Sequence, residues 1–211
     1  LQLQIFNNLY DKNVYKLIDI KDILSYIQSD LMLKSKTMEY RELYKSSAEE
    51  AKLFKYKEFK ELSLIQYRNQ KELNSFNKSY GLTIDIDKKD NLEIDLKALY
   101  SQIKQDNIFN IGFISLGGGI KLIRFFDYPI TNLELLQTIK SLYYHKLENR
   151  YNVKIDFGAY KHTFLNSSNE SFYNFGHTSK SEYWINAAAE IIAKKETIIK
   201  NDIVPGEGDP P

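Results

Sequence analysis

The chain has 211 residues, with 29 Lys and Arg against 28 Asp and Glu and a net charge of +1. That balance excludes a whole-chain electrostatic signature for nucleic acid, so any such contact rests on local patches. The absence of cysteine excludes disulfides and thiolate metal sites, and a reducing cytoplasm is the expected location. No apolar run approaches a membrane span and no signal-peptide pattern opens the chain, so no membrane partner is expected.

The length suits one large domain or two small lobes on a shared core. The opening Leu1 and the Pro- and Gly-containing stretch 204–211 read as a fragment that ends in a linker. The 16 Tyr and 12 Phe have two readings, stacking surfaces for bases or the residue usage of an AT-rich genome.

In chain order, residues 3–6 read as a short strand. Over 15–33, Leu17, Ile20, Leu24, Ile27 and Leu31 recur at helical spacing and predict one amphipathic helix. A second helix is expected around 38–44. Ser47 and Glu50 have capping-box spacing and start another. Lys52, Lys55, Lys57, Lys60, Arg68 and Lys71 make 52–71 basic, either a solvated face or a phosphate-tracking surface for a template strand. Strands are expected at 62–67 and 80–87.

Asp90 is expected to cap a helix carrying Leu96, Leu99 and Ile103. Two strand-like runs, 110–115 and 119–126, are joined by Leu116-Gly117-Gly118, a hairpin signal. Thr131 and Glu134 form a second capping box that opens a long helix through Leu147. A short strand at 153–155 ends in Asp156, a loop with Gly158 and Tyr160 follows, and an Ala-rich helix closes the chain over 184–199. Helices and strands alternate, which predicts an α/β or α+β fold, and the hairpin argues against a purely parallel sheet.

Three pieces of this pattern carry chemistry. Asp85-Ile86-Asp87 places two carboxylates on one face of a strand, with Ile84 and Ile86 pointing to a core. Such a pair repels itself, and a divalent cation such as Mg²⁺ or Mn²⁺ reverses that balance. A solvated strand end is the other reading of an isolated pair. In Ser115-Leu116-Gly117-Gly118-Gly119-Ile120-Lys121, the three glycines let main-chain N–H groups approach phosphate oxygens, Ser115 can donate a hydrogen bond and Lys121 adds a point charge. A flexible turn is the alternative. Asp156, at a strand end, is either a third ligand or a turn residue.

In this order the motifs resemble those of the archaeo-eukaryotic primases, the primase-polymerase superfamily. The chain is most similar to the VirE N-terminal-like group, which includes the CRISPR-associated primase-polymerases. Asp85-Ile86-Asp87 matches the first motif, Ser115 to Lys121 the second, and Asp156-Phe157-Gly158-Ala159-Tyr160-Lys161-His162 the third, with Tyr173-Asn174 resembling a later segment. The second motif has Lys121 where many members have His, and the third has Lys161-His162 where Arg is frequent.

The resemblance implies an α+β fold with an RRM-like antiparallel or mixed sheet. It also implies an N-terminal αβ module at 1–80, a motif-bearing part at 81–185 and a C-terminal helix at 186–203. It implies template-directed nucleotidyl transfer with two Mn²⁺ or Mg²⁺ ions. Asp85, Asp87 and Asp156 would be the metal ligands, and Ser115, Gly117, Gly118, Gly119, Lys121, Lys161 and His162 the nucleotide-binding residues. The implied partners are dNTPs or NTPs, a single-stranded DNA template and primer, and CRISPR adaptation proteins.

Further candidates have two readings each. His162 and His177 contact phosphate or are surface residues, and Arg124 contacts phosphate or template or forms an exposed ion pair. Tyr160 and Tyr173 stack on a nucleotide or pack in the core, and His145 is structural or solvated. The rival functions are a catalytically silent nucleotide or single-stranded nucleic-acid binding module, and a nuclease that uses the same acids.

Overall fold

The computed structural model describes residues 1–158, 161–174, 176 and 178–202, with side chains through residue 195. Tyr160, His177 and the tail at 204–211 lie outside the described residues. These residues form an α+β fold with six helices and two antiparallel sheets. None of the helices is long and apolar enough to cross a membrane.

The first sheet is built from β1 (Gln2–Phe6), β2 (Lys16–Asp19), β3 (Glu61–Ser63) and β8 (His162–Phe164), in the order β2-β1-β3-β8. Helices α1 (Ile20–Ser29), α2 (Leu31–Ser46) and α3 (Ala48–Glu58) separate its early strands. The second sheet contains β4 (Ile65–Tyr67), β5 (Phe76–Ile86), β6 (Ile111–Ile114), β7 (Ile120–Ile130) and β9 (Phe172–Tyr173), in the order β4-β5-β7-β6-β9. Helices α4 (Leu96–Asp106), α5 (Leu133–Tyr151) and α6 (Ser181–Asp202) complete the chain.

The second sheet is buried on both faces, and this positions the site. Leu82, Ile84 and Ile86 of β5, with Ile120 and Leu122 of β7, join one core with residues of α4, α5 and α6. Ile123 and Phe125 of β7, with Ile111 and Phe113 of β6, join a second core with β1, β3 and α1. Each fully buried aliphatic side chain contributes roughly 1.5–3 kcal/mol, so both faces resist register slips. The chain does not divide cleanly at residue 80. β4 belongs to the second sheet, and β8 returns late in the sequence to pair with β3.

Several local expectations need correction. The apolar spacing over 15–33 does not make one helix. Residues 16–19 pair with β1, burying Ile18 and exposing Leu17 with the period of a strand. Asp19 then accepts the Lys21 N–H at 3.0 Å and starts α1, and Asp30 accepts the Leu33 N–H at 2.7 Å and starts α2. The strand expected over 62–67 is two strands in different sheets, and the Ser63 hydroxyl at the crossover donates to the Ile65 carbonyl at 2.8 Å.

The cap of α4 is Asp95 rather than Asp90, since Asp95 accepts from the Lys97 and Ala98 N–H groups. The cap of α5 is Asn132 rather than Thr131, accepting the Leu135 N–H at 3.0 Å. Residues 153–155 form no ladder; instead Asn91 holds Lys154 on both sides, at 3.0 and 2.8 Å.

Candidate active site

Asp85 lies near the end of β5, and Asp87 follows just after the strand stops. The alternation expected for this stretch is present: Ile84 and Ile86 enter the helix-side core, leaving Asp85 and Asp87 to the other face. Asp85 stands opposite Lys121 in the β5–β7 ladder, and the Lys121 ammonium donates to Asp85 Oδ2. The two side chains are only 13% and 14% exposed.

The second carboxylate oxygen, Asp85 Oδ1, is buried and has no hydrogen-bond partner among the described residues. Buried carboxylate oxygens are normally satisfied, so this atom lacks the partner its kind usually has. Asp87 is half-buried, and burial first, then the Asp85 charge, pushes its carboxyl above the usual range. The Lys89 ammonium, 3.5 Å from Asp87 Oδ2, offsets part of this. An orphaned oxygen beside a second strained carboxylate fits a hard divalent cation such as Mg²⁺ or Mn²⁺.

Asp156 is tied to the same place by its main chain, its N–H donating to the Asp85 carbonyl at 2.9 Å. Its carboxylate is exposed and accepts the Gly158 N–H at 2.8 Å. Among the described residues, no group of three His, Asp or Glu side chains is gathered closely enough to share one ion. The structure therefore brings Asp85 and Asp87 together and leaves the Asp156 side chain beside them.

The glycine turn adjoins this pair. The Ser115 N–H donates to the Gly119 carbonyl at 2.8 Å, and Ser115 Oγ accepts the Gly119 N–H at 3.0 Å, so the buried Ser115 closes the hairpin. Gly119 packs against the end of β5: a Cβ there would meet the Ile86 carbonyl oxygen at 2.5 Å and Asp87 Cα at 3.2 Å. Gly118 has φ of 80°, the left-handed region, and faces the Lys88 side chain. Gly117 is exposed with open space around it. Leu116 anchors the turn in a small core with Leu33 and Tyr40 of α2 and Ala51 of α3.

His162, the last residue of the third motif, belongs to the first sheet. His162 pairs across from Ser63, its Nε2 lies 3.2 Å from the Tyr67 hydroxyl, and its Nδ1 lies 4.0 Å from Glu61 Oε1. Burial first, then Lys71 and Lys161, pushes its imidazole down to about 3, so the ring is neutral near pH 7. Glu61 does not reverse this because its other oxygen is engaged by Lys71 at 2.6 Å. The Lys161 carbonyl accepts from the Ser63 hydroxyl at 3.2 Å, and burial first, then the Lys161 charge, holds the Lys140 ammonium below the usual range while Asp156 opposes them.

Of the remaining candidates, Arg124 is half-buried on the helix-covered face of β7, where burial lowers its guanidinium from the usual range and Tyr143 opposes this. Tyr173 is 59% exposed on β9 and is not a core residue. His145 is solvated, 3.1 Å from Glu148.

Two further residues feel the charge of the acids: Lys55, a member of the basic run over 52–71, and Tyr40, which no local pattern marks. Lys55 of α3 is partly buried, and burial first, then Lys121, holds its ammonium below the usual lysine range while Asp85 and Asp87 oppose them. Buried Tyr40 of α2 is pushed up by burial first, then Tyr44, then Asp87. Both reach the second sheet only through long-range packing, which no window of sequence displays. Comparison with protein-family models, curated proteins and solved structures returned no match.

Proposed function

We propose that this domain is a DNA primase-polymerase catalytic core that transfers nucleotides from dNTPs or NTPs onto a strand templated by single-stranded DNA. The observation that carries the reading is the buried, unpartnered Asp85 Oδ1 beside Asp87, with the Lys121 ammonium and the glycine turn next to it. Asp85 and Asp87 hold the divalent cation, and Asp156, bonded through its main chain to Asp85, is the third carboxylate of the reading. When bound, Mg²⁺ or Mn²⁺ lowers the pKa of the attacking 3′-hydroxyl and neutralises phosphate charge.

The chain itself supplies positioning and charge. The rigid β5–β7 ladder fixes the carboxylates. Lys121 balances Asp85 before ligand arrives and then turns its ammonium to the triphosphate, freeing both Asp85 oxygens. The exposed Gly117 and Gly118 admit phosphate oxygens to the turn, which Ser115 holds in shape. Lys161 adds a further cation, whereas the neutral His162 offers a ring nitrogen without charge.

Primer extension tests the reading. With Mn²⁺, a labelled primer on single-stranded DNA and all four dNTPs, the domain should extend the primer, and Asp85→Ala with Asp87→Ala should abolish extension. Tight nucleotide binding without any incorporation would point instead to the silent binding module.

A further inference from the structure

We infer that Lys55 of α3 is a phosphate-binding residue of the same site, the group through which the N-terminal layer grips the nucleotide's triphosphate tail. The inference rests on the nucleotidyl-transfer reading and adds to it a residue from a different layer of the fold.

The Lys55 ammonium sits 5.0 Å from the Phe164 ring centre and 5.3 Å from that of Tyr56. These rings stack on each other at 6.0 Å and 19°. Ring faces attract a cation without using its N–H donors. Among the described residues, the Lys55 ammonium makes no hydrogen bond and no ion pair, the residue's carbonyl accepting from the Phe59 N–H at 3.2 Å. Other buried lysines nearby have acids of their own: Lys71 has Glu61, and Lys121 has Asp85. Even partial burial of an ammonium without an acid carries a desolvation cost, and an anion from outside would relieve it.

The location selects the anion. Ala51, one helical turn before Lys55 on α3, shares a small core with Leu116 of the glycine turn, and Phe164, the ring under Lys55, packs against that core, so the ammonium stands on the turn's side of α3, where the Asp85, Asp87 and Lys121 charges act on it. The Lys55 and Lys121 charges, from α3 and β7, repel each other until an anion of more than one charge offsets them. Two carboxylates alongside call for a cation as well. A polyphosphate carrying a divalent cation meets both demands, and a single carboxylate ligand meets neither. Glu61, an acid of the first sheet that also feels the Lys55 charge, is already held by Lys71 at 2.6 Å.

The test is calorimetric titration of the full chain with tripolyphosphate and, separately, with a dNTP, both with Mn²⁺. The wild type should bind both. Lys55→Met, which keeps the apolar stem over the rings, should weaken both by at least about 10-fold, the loss of one charge-assisted hydrogen bond, while Lys55→Arg should stay within about threefold. In primer extension, Lys55→Met should raise the nucleotide KM more than it lowers kcat. If Lys55→Met melts early, Lys55→Gln takes its place.

Unchanged binding in a folded Lys55→Met protein would overturn the assignment and leave the nucleotide reading standing. Weaker dNTP binding with unchanged tripolyphosphate binding would also overturn it, since the contact would not be to the tail. A wild type that binds neither probe would remove the nucleotide reading, and Lys55's role with it.

Discussion

Lys121 and Asp85 occupy paired positions on β7 and β5, and their ion pair engages one carboxylate oxygen while the other, Oδ1, stays buried without a partner. On the proposed reading, the pair is half of a coordination site held in balance by an internal cation. Its neighbour Asp87 is pushed up by burial and by the Asp85 charge, as expected where two acids share a low-dielectric place.

Lys121→Met should expose this balance. Without divalent cation the variant should lose about 3 kcal/mol of stability, because a largely buried carboxylate loses its counter-charge. Adding Mn²⁺ should then raise its melting temperature more than that of the wild type, since the ion replaces the missing cation and meets no competitor. A smaller Mn²⁺ shift in the variant would show that Lys121 assists ion binding rather than standing in for it. Thermal denaturation with and without Mn²⁺ reads both effects.

The glycines of the hairpin separate packing from ligand approach. Gly119→Ala should destabilise the fold by about 1–3 kcal/mol, because its Cβ would strike the main chain of Ile86. Gly117→Ala meets open space and should change stability by no more than about 0.5 kcal/mol. If Gly117 admits phosphate, the alanine should nevertheless weaken nucleotide binding in a fully folded protein. Urea denaturation together with nucleotide titration checks both halves.

His162 predicts an acid limb of stability. Its imidazole lies at about 3 in the folded state against an ordinary 6.5, so the unfolded chain binds the extra proton between those values. The contribution is present above pH 6.5 and is lost as the pH falls toward 3, by up to about 1.4 kcal/mol per pH unit. The groups around the ring are Tyr67, Glu61, Lys71 and Lys161. His162→Gln should flatten the stability profile over that window relative to wild type. Equal slopes in chemical denaturation from pH 6.5 to 4 would place the ring in solvent.

What was legible in the sequence is what local periodicity encodes. Ile84 and Ile86 against Asp85 and Asp87 announced a strand with an acid face, and Ser47 announced α3. The hairpin around Gly117 and Gly118 and the last helix were equally plain. Misreadings arose where neighbouring residues offer the same chemistry, as with Asp90 and Asp95 or Thr131 and Asn132, since tertiary packing selects which one caps. Leu17 was read as helical because its spacing fits both periods, and pairing with Gln4 settles it as strand. The basic run over 52–71 marked Lys55 but not its place over Phe164 and Tyr56, and nothing local marked Tyr40 or Glu61, because α2, α3 and β3 find their partners only after the chain has folded back on itself.

The most direct measurement mixes the domain with unprimed single-stranded DNA, Mn²⁺ and labelled nucleotides, and resolves the products on a denaturing gel. The account predicts short labelled products from the wild type and none from the Asp85→Ala, Asp87→Ala double variant, whose circular dichroism stays native. Full synthesis by the folded double variant would contradict the metal assignment. No product from the wild type, on primed and unprimed templates alike, would contradict the account itself.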